Sequence, residues 1–253
     1  MADAKHPRPE TAAPIAAVKV IGLGGIGAQV AQAMAQFLSS RRVCKTLVLI
    51  DGDAYEEDNR DRVVFTECEN KAVVKARELG RAAPERLTVL PVPSYVTPRN
   101  ARRLIGEGEV VFVCVDNHAS RKVVADRCRR LDDIVLVSGG NDGVEDGRAG
   151  TFGNTQIHVR RGGRDVTNPL TRFHPELARP RDRRPDQRDC AELVQSAPQL
   201  LFTNLAVAAS MLSAFYAWWA GSLDFEEVYL DIALGQATPV KRAVSTARRT
   251  ARA

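Results

Sequence analysis

A short apolar run, Ala17-Val-Lys-Val-Ile21, gives way at once to Gly22-Leu-Gly-Gly-Ile-Gly27, and helical spacing of apolar residues follows from Ala28 to Leu38. Few chain geometries accommodate that succession. The glycines permit a tight turn at the end of a buried strand and let backbone amides approach a phosphate at the positive end of the next helix. Four more strands repeat the pattern: Thr46–Ile50, Leu87–Leu90, Val110–Val115 and Ile134–Ser138. Helical stretches lie between them at Lys71–Ala82, closed by Pro84, and at Ser120–Arg130. Strands that are apolar throughout and alternate with helices imply a parallel sheet covered on both faces.

The predicted fold is therefore α/β, a doubly wound, Rossmann-like, mostly parallel sheet with helices on both faces. The pattern changes after residue 150. Thr151–Arg160 alternates as a half-exposed strand, and Arg161–Asp189 is rich in Arg, Pro and Asp without periodicity. Leu193–Leu223 carries no charge at all. By length alone its core, Leu200–Trp219, is able to span a bilayer. Its Ala and Ser content and Asn204, following a complete sheet, favour a buried or interface helix. Glu226–Ile232 returns as a final strand, giving a C-terminal antiparallel extension. The organisation expected is a flexible leader (1–14), one nucleotide-binding domain (15–235, with an irregular loop at 161–189) and a basic flexible tail (236–253).

The net charge of +5 is unevenly placed. Lys241–Ala253 holds five basic residues and no acid, while Arg160–Asp189 holds nine arginines against five acids, a further +4. The remainder is then −4. A basic excess in a tail and a loop is not the stripe on a rigid face that a nucleic-acid module presents, so neither a specific nucleic acid nor a membrane is expected as partner. The five cysteines (Cys44, Cys68, Cys114, Cys128, Cys190) include no CxxC pair, which excludes a four-cysteine zinc site and a disulfide framework. The N-terminus MADAKHPRPETAAP shows no apolar signal region, and a reducing, cytoplasmic setting is expected.

The polar residues at the strand ends carry the chemistry. Asp51 and Asp53 close the second strand, where an acid can hold ribose hydroxyls. A polar run through Asp58, Asn59 and Arg62 leads to Lys71 at the start of a helix, and Asp116-Asn117 ends the fourth strand, at the edge where open α/β sheets bind ligands. An NAD-dependent oxidoreductase is compatible with the glycines and Asp51, but no hydride-transfer acid or base accompanies them. A triphosphate explains the set better, because cations and a metal must offset charge spread over phosphate oxygens during displacement.

With those residues in place the chain resembles the ThiF/MoeB/HesA family, relatives of the ubiquitin-activating enzymes. The resemblance is carried by Gly22-Leu-Gly-Gly-Ile-Gly27, by Asp51-Gly-Asp53 through Asn59 and Arg62, by Lys71 ahead of Pro84, and by Asp116-Asn117-His-Ala-Ser-Arg121. It implies an ATP-dependent adenylyltransferase acting on a carboxylate, usually the C-terminal glycine of a ubiquitin-like or sulfur-carrier protein, in a homodimer. Gly22, Gly24, Gly25 and Gly27 would then face the phosphates and Asp53 the ribose. Asp58, Asn59 and Asn117 would lie along the nucleotide, Arg62 and Lys71 would stabilise phosphate charge, and Asp116 would hold magnesium. Cys190, in Arg188-Asp-Cys-Ala-Glu, stands where such proteins carry an acceptor thiol; a bystander role is the alternative.

Departures from the family pattern accompany the match. The paired CxxC zinc ligands are absent, so no zinc is expected, and MADAKHPRPE shows no recognisable arginine-bearing helix. His6, His118, His158 and His174 lack ligand spacing. The missing arginine leaves a second possibility, a catalytically inactive nucleotide-binding partner protein.

Overall fold

The computed structural model describes residues 14–56, 60–61, 63–82, 86–145, 147–187 and 199–242. Asp58, Asn59, Arg62 and Cys190 lie outside the described residues, as do the leader up to residue 13 and the chain from 243 onward. The elements in chain order are β1 (Val18–Ile21), α1 (Gly25–Arg41), β2 (Thr46–Ile50), α2 (Lys71–Ala82), β3 (Thr88–Val92), α3 (Ala101–Leu104), β4 (Glu109–Val113), α4 (His118–Cys128) and β5 (Ile134–Asn141). A short hairpin, β6 (Val144–Glu145) and β7 (Arg148–Ala149), precedes β8 (Phe152–Arg161) and β9 (Arg164–Asp165). The chain then continues to α5 (Leu201–Trp219), β10 (Phe225–Asp231) and β11 (Gln236–Lys241).

Apart from β6 and β7, which pair only with each other, the described strands form one sheet in the order β11-β10-β8-β5-β4-β1-β2-β3, with β9 paired to β8. From β5 to β3 every pairing is parallel. From β5 to β11 every pairing is antiparallel. Chain order reverses at β1, which lies between β2 and β4, and this is where an open α/β sheet forms a ligand crevice at its carboxyl edge.

Two apolar layers sandwich the sheet. On one face Val20, Leu49, Phe112, Val137 and Ile157 meet Met34 and Leu38 of α1, Leu79 of α2, and Val207, Met211 and Phe215 of α5. On the other, Ile21, Val111, Val113 and Leu136 meet Leu104 of α3, Val124 and Cys128 of α4, and Leu170 and Leu177. α5 sits close because two strand residues have no side chain. A Cβ on Gly139 would come 2.2 Å from the Met211 sulfur, and one on Gly153 would come 2.4 Å from Val207. Phe37 of α1 packs edge-on against Phe215 and Trp219 of α5 at centroid distances of 5.6 and 5.4 Å. Leu201–Trp219 is long and apolar enough to cross a membrane, and its buried stripe is the one packed on the sheet; Phe202 (71% exposed), Leu205 and Tyr216 face outward.

Three expectations change. Gln236–Lys241 pairs antiparallel with β10, so the segment expected to be tail begins as an edge strand. Its residues are exposed almost throughout, which is why no apolar pattern announced it. β8 is buried on both faces for most of its length rather than half-exposed. The cause is the third change: the supposedly irregular loop is a fixed strap over residues 166–187. Thr167 accepts from Val159 N (2.8 Å) and donates to Ile157 O (2.7 Å), Asn168 donates to Glu226 (2.6 Å), and Leu170 and Leu177 enter the core. Three 3-10 turns, Leu170–Arg172, Pro175–Ala178 and Pro185–Gln187, carry it along.

Candidate functional site: a nucleotide cleft

β1 leaves the sheet at Gly22, whose φ of +86° is the left-handed region that glycine tolerates. A Cβ on Gly27 would lie 1.8 Å from the Gly22 carbonyl oxygen, so the first turn of α1 rests directly on the loop. Gly24 is the N-cap of α1 and supplies no side-chain acceptor. The first amides of α1, including Gly25, are thus left for an external anion at the positive end of the helix.

Asp51 ends β2 and points inward. Its carboxylate accepts from Leu23 N at 2.6 Å and Asp53 N at 2.8 Å, tying the glycine loop to the following turn. Burial, reinforced by the charge of Asp53, pushes its pKa up to about 6. Asn70 closes the turn from the far side, its amide donating to Asp51 O (3.0 Å) and Asp53 O (3.1 Å). The Asn70 side-chain oxygen meanwhile accepts from Ala72 N at 3.0 Å, capping α2. This places the buried Lys71 ammonium 3.6 Å from Asp53 Oδ2. The other Asp53 oxygen accepts from the Tyr95 hydroxyl.

At the end of β4, Asn117 caps α4 through Ser120 N at 2.7 Å, and its amide lies 3.4 Å from Asp116 Oδ1. Beneath them the half-buried Arg121 donates to Ser138 Oγ (2.7 Å) and Gly139 O (2.6 Å). Burial lowers its pKa, while the facing Cys114, Asp116 and Asp182 favour its charge. The carboxylate of Asp182, delivered by the strap, accepts from His118 N and Ala119 N at 2.6 and 3.0 Å.

The structure therefore brings Gly22, Gly24, Gly25, Gly27, Asp51, Asp53, Lys71, Asp116 and Asn117 to the carboxyl edge of β1, β2 and β4. Asp51 differs from its expected role, since both of its oxygens are engaged by backbone amides; Asp53 is the acid that faces outward. Sequence reasoning passed over Asn70, Tyr95 and Asp182. An Asn directly before the first helical residue is a capping signal, and Asn70 was readable on that ground. Tyr95 and Asp182 reach the cleft only through tertiary contacts.

Among the described residues no group of three or more His, Cys, Asp and Glu is arranged to hold a metal ion. A lone carboxylate such as Asp116 suits magnesium, which commonly takes one or two carboxylates and completes its shell with water and substrate phosphates. Burial pushes the thiols of Cys114 and Cys128 up to about 12, so neither offers a reactive thiolate; Cys44 is also buried.

A glycine loop under an uncapped helix, an acid at the end of β2 and a lysine beside it define a nucleotide-binding α/β domain of the Rossmann type. More narrowly, the chain belongs to the ThiF family, whose model matches residues 15–208. It is 32% identical over 114 residues to the adenylyltransferase and sulfurtransferase uba4 of Aspergillus clavatus, a match covering 44% of this chain and 22% of that protein. It is 31% identical over 157 residues to the tRNA threonylcarbamoyladenosine dehydratase of Escherichia coli, covering 60% of this chain and 53% of that one. The chain thus spans from about a fifth to about half of the length of these relatives. Among solved structures, E. coli MccB with ATP superposes with a TM-score of 0.65 at 16% identity, covering 92% of this chain and 65% of that chain.

Proposed function

We propose that this protein adenylates a carboxylate with ATP, most simply the C-terminal carboxylate of a small ubiquitin-like or sulfur-carrier protein or peptide. The observation that carries the reading is the Asp53–Lys71 pair on the glycine loop's flank. A buried ammonium and a half-exposed carboxylate beside the glycine loop suit the phosphates and the ribose of a nucleotide, which supports the reading.

In this reading the substrate carboxylate attacks the α-phosphorus and pyrophosphate leaves, so the protein supplies positioning and electrostatics rather than a nucleophile. Open amides of the glycine loop and α1 hold phosphate oxygens. Lys71, anchored by Asp53, neutralises charge that grows on the leaving group. Magnesium bound at Asp116 would add a second positive centre on the phosphates. Capture of the activated group by Cys190, a homodimer formed through the outward face of α5, and a cytoplasmic location complete the proposal.

ATP–pyrophosphate exchange, stimulated by a panel of peptides ending in Gly-Gly, tests it. Exchange should vanish with Lys71→Ala and Asp116→Ala. ATP binding without exchange for any carboxylate would favour a nucleotide-binding partner protein instead. A second reading places the carboxylate on a tRNA nucleoside; the longer match to the tRNA-modifying relative and the arginines of the strap support it. Release of AMP dependent on added tRNA would favour that reading.

A further inference from the structure

Tyr95 lies three residues beyond β3 and reaches back over the end of β2. Its ring is packed against the backbone at Gly52, where a Cβ would come within 2.6 Å of the ring's Cγ and Cδ1. An aromatic ring here and a glycine at 52 therefore require each other. The segment that carries the ring is fixed: Asn100 Nδ2 donates to Tyr95 O at 2.9 Å, and Asn100 Oδ1 accepts from Thr97 N at 2.8 Å. The phenol hydroxyl donates to Asp53 Oδ1, while Asp53 Oδ2 faces Lys71.

Asp53 has a side chain 49% exposed. Water would satisfy a carboxylate so placed, and its rotamers would interchange. Instead the Tyr95 hydroxyl donates to one oxygen, and the Lys71 ammonium, 3.6 Å away, forms an ion pair with the other. An ionised carboxylate offers about four acceptor positions, so two remain after the phenol and the ammonium are served. Two acceptors on one rigid carboxylate match a vicinal diol.

We infer that Tyr95 is a positioning residue that locks Asp53 for the 2′- and 3′-hydroxyls of the nucleotide and so sets a preference for ribonucleotides over deoxyribonucleotides. The inference rests on the reading of the cleft as an ATP site and deepens it. Ordering the carboxylate before the nucleotide arrives removes an entropic cost from binding.

Calorimetric titration of the full chain with magnesium ATP, 2′-deoxy-ATP and 3′-deoxy-ATP tests this. The wild type should bind ATP about tenfold more tightly than either analogue, and Tyr95→Phe should weaken ATP about fivefold while leaving the analogues within about twofold, because the carboxylate is then no longer ordered before the nucleotide arrives. A merely structural role would weaken all three nucleotides alike, and that result overturns the inference, as does unchanged ATP affinity. Should Tyr95→Phe fail to fold, Asp53→Asn tests the ribose contact that Tyr95 is held to serve, and a ribose preference surviving in it overturns the assignment. Absence of ATP binding by the wild type removes the nucleotide site itself and the role of Tyr95 with it.

Discussion

Asp182 and His118 are 64 positions apart in the chain, yet the carboxylate of one accepts from the backbone amide of the other at 2.6 Å. The contact closes the amino end of α4 two residues after Asp116, so the arginine-rich strap is fastened beside the proposed metal-binding carboxylate. Asn117 remains as the N-cap of α4, and loss of a further side-chain acceptor for the helix's first amides costs about 1 kcal/mol. Asp182→Ala should lower stability by about that amount, speed amide exchange at His118 and Ala119, and expose Arg181 and Arg183 to trypsin. Unchanged exchange at those two amides would show that the fastening is dispensable.

The strap is also held through His174, whose ring contacts Glu227 at 2.6 Å and Glu176 at 2.9 Å. The hydrogen bond to buried Glu227 raises the imidazole pKa above its ordinary value. A group whose pKa is higher folded than unfolded contributes fully below the unfolded value and loses that contribution as pH climbs through the folded one. Urea midpoints should therefore fall as pH rises from the ordinary histidine range through the raised value. His174→Gln should flatten that slope; an unaltered slope in the variant assigns the effect elsewhere.

Asp51 works with the same sign from a different cause. Its folded pKa of about 6 against the usual 3.8 means that the native state holds an extra proton between those values. Stability contributed by this site should fall as pH rises across that window, by roughly 3 kcal/mol on the conversion of about 1.4 kcal/mol per pKa unit. Asp51→Asn cannot ionise, so its denaturation midpoint should gain on that of the wild type between pH 4 and 6. Parallel pH profiles would refute the prediction.

The glycine loop separates steric need from openness. Gly27→Ala forces a methyl to within 1.8 Å of the Gly22 carbonyl oxygen. It should cost about 3 kcal/mol, the upper range for overpacking, and abolish nucleotide binding. At Gly24 a Cβ meets nothing within 4 Å. Gly24→Ala should stay within about 1 kcal/mol of the wild type, with thermal melts as the common measurement. Equal destabilisation by both would contradict the packing described.

Much of this was legible in the sequence because the central strands β1, β4 and β5 are buried on both faces and say so residue by residue, while β3 at the sheet's edge is largely exposed. β5 is the instructive exception. It reads as ending at Ser138 but runs to Asn141, since Gly139 is selected by the closeness of Met211 and carries no apolar signal. The strap and β11 were hidden for a related reason: single hydrogen bonds from Thr167, Asn168 and His174, or backbone pairing along exposed residues, leave no period to detect. At the site, residue types at strand ends pointed to Asp53, Lys71 and Asp116. They did not show that Asp51 turns inward, or that Tyr95, 42 positions from Asp53, donates to it.

The matched region stops at residue 208, in the middle of α5. A shortened protein ending there would lose Met211, Phe215 and Trp219, which fill the space over β5 and beside α1, and would leave β8 without its neighbour β10. Recombinant fragments and domain fusions should therefore keep the chain through Lys241, because residues on both sides of position 208 fill one core.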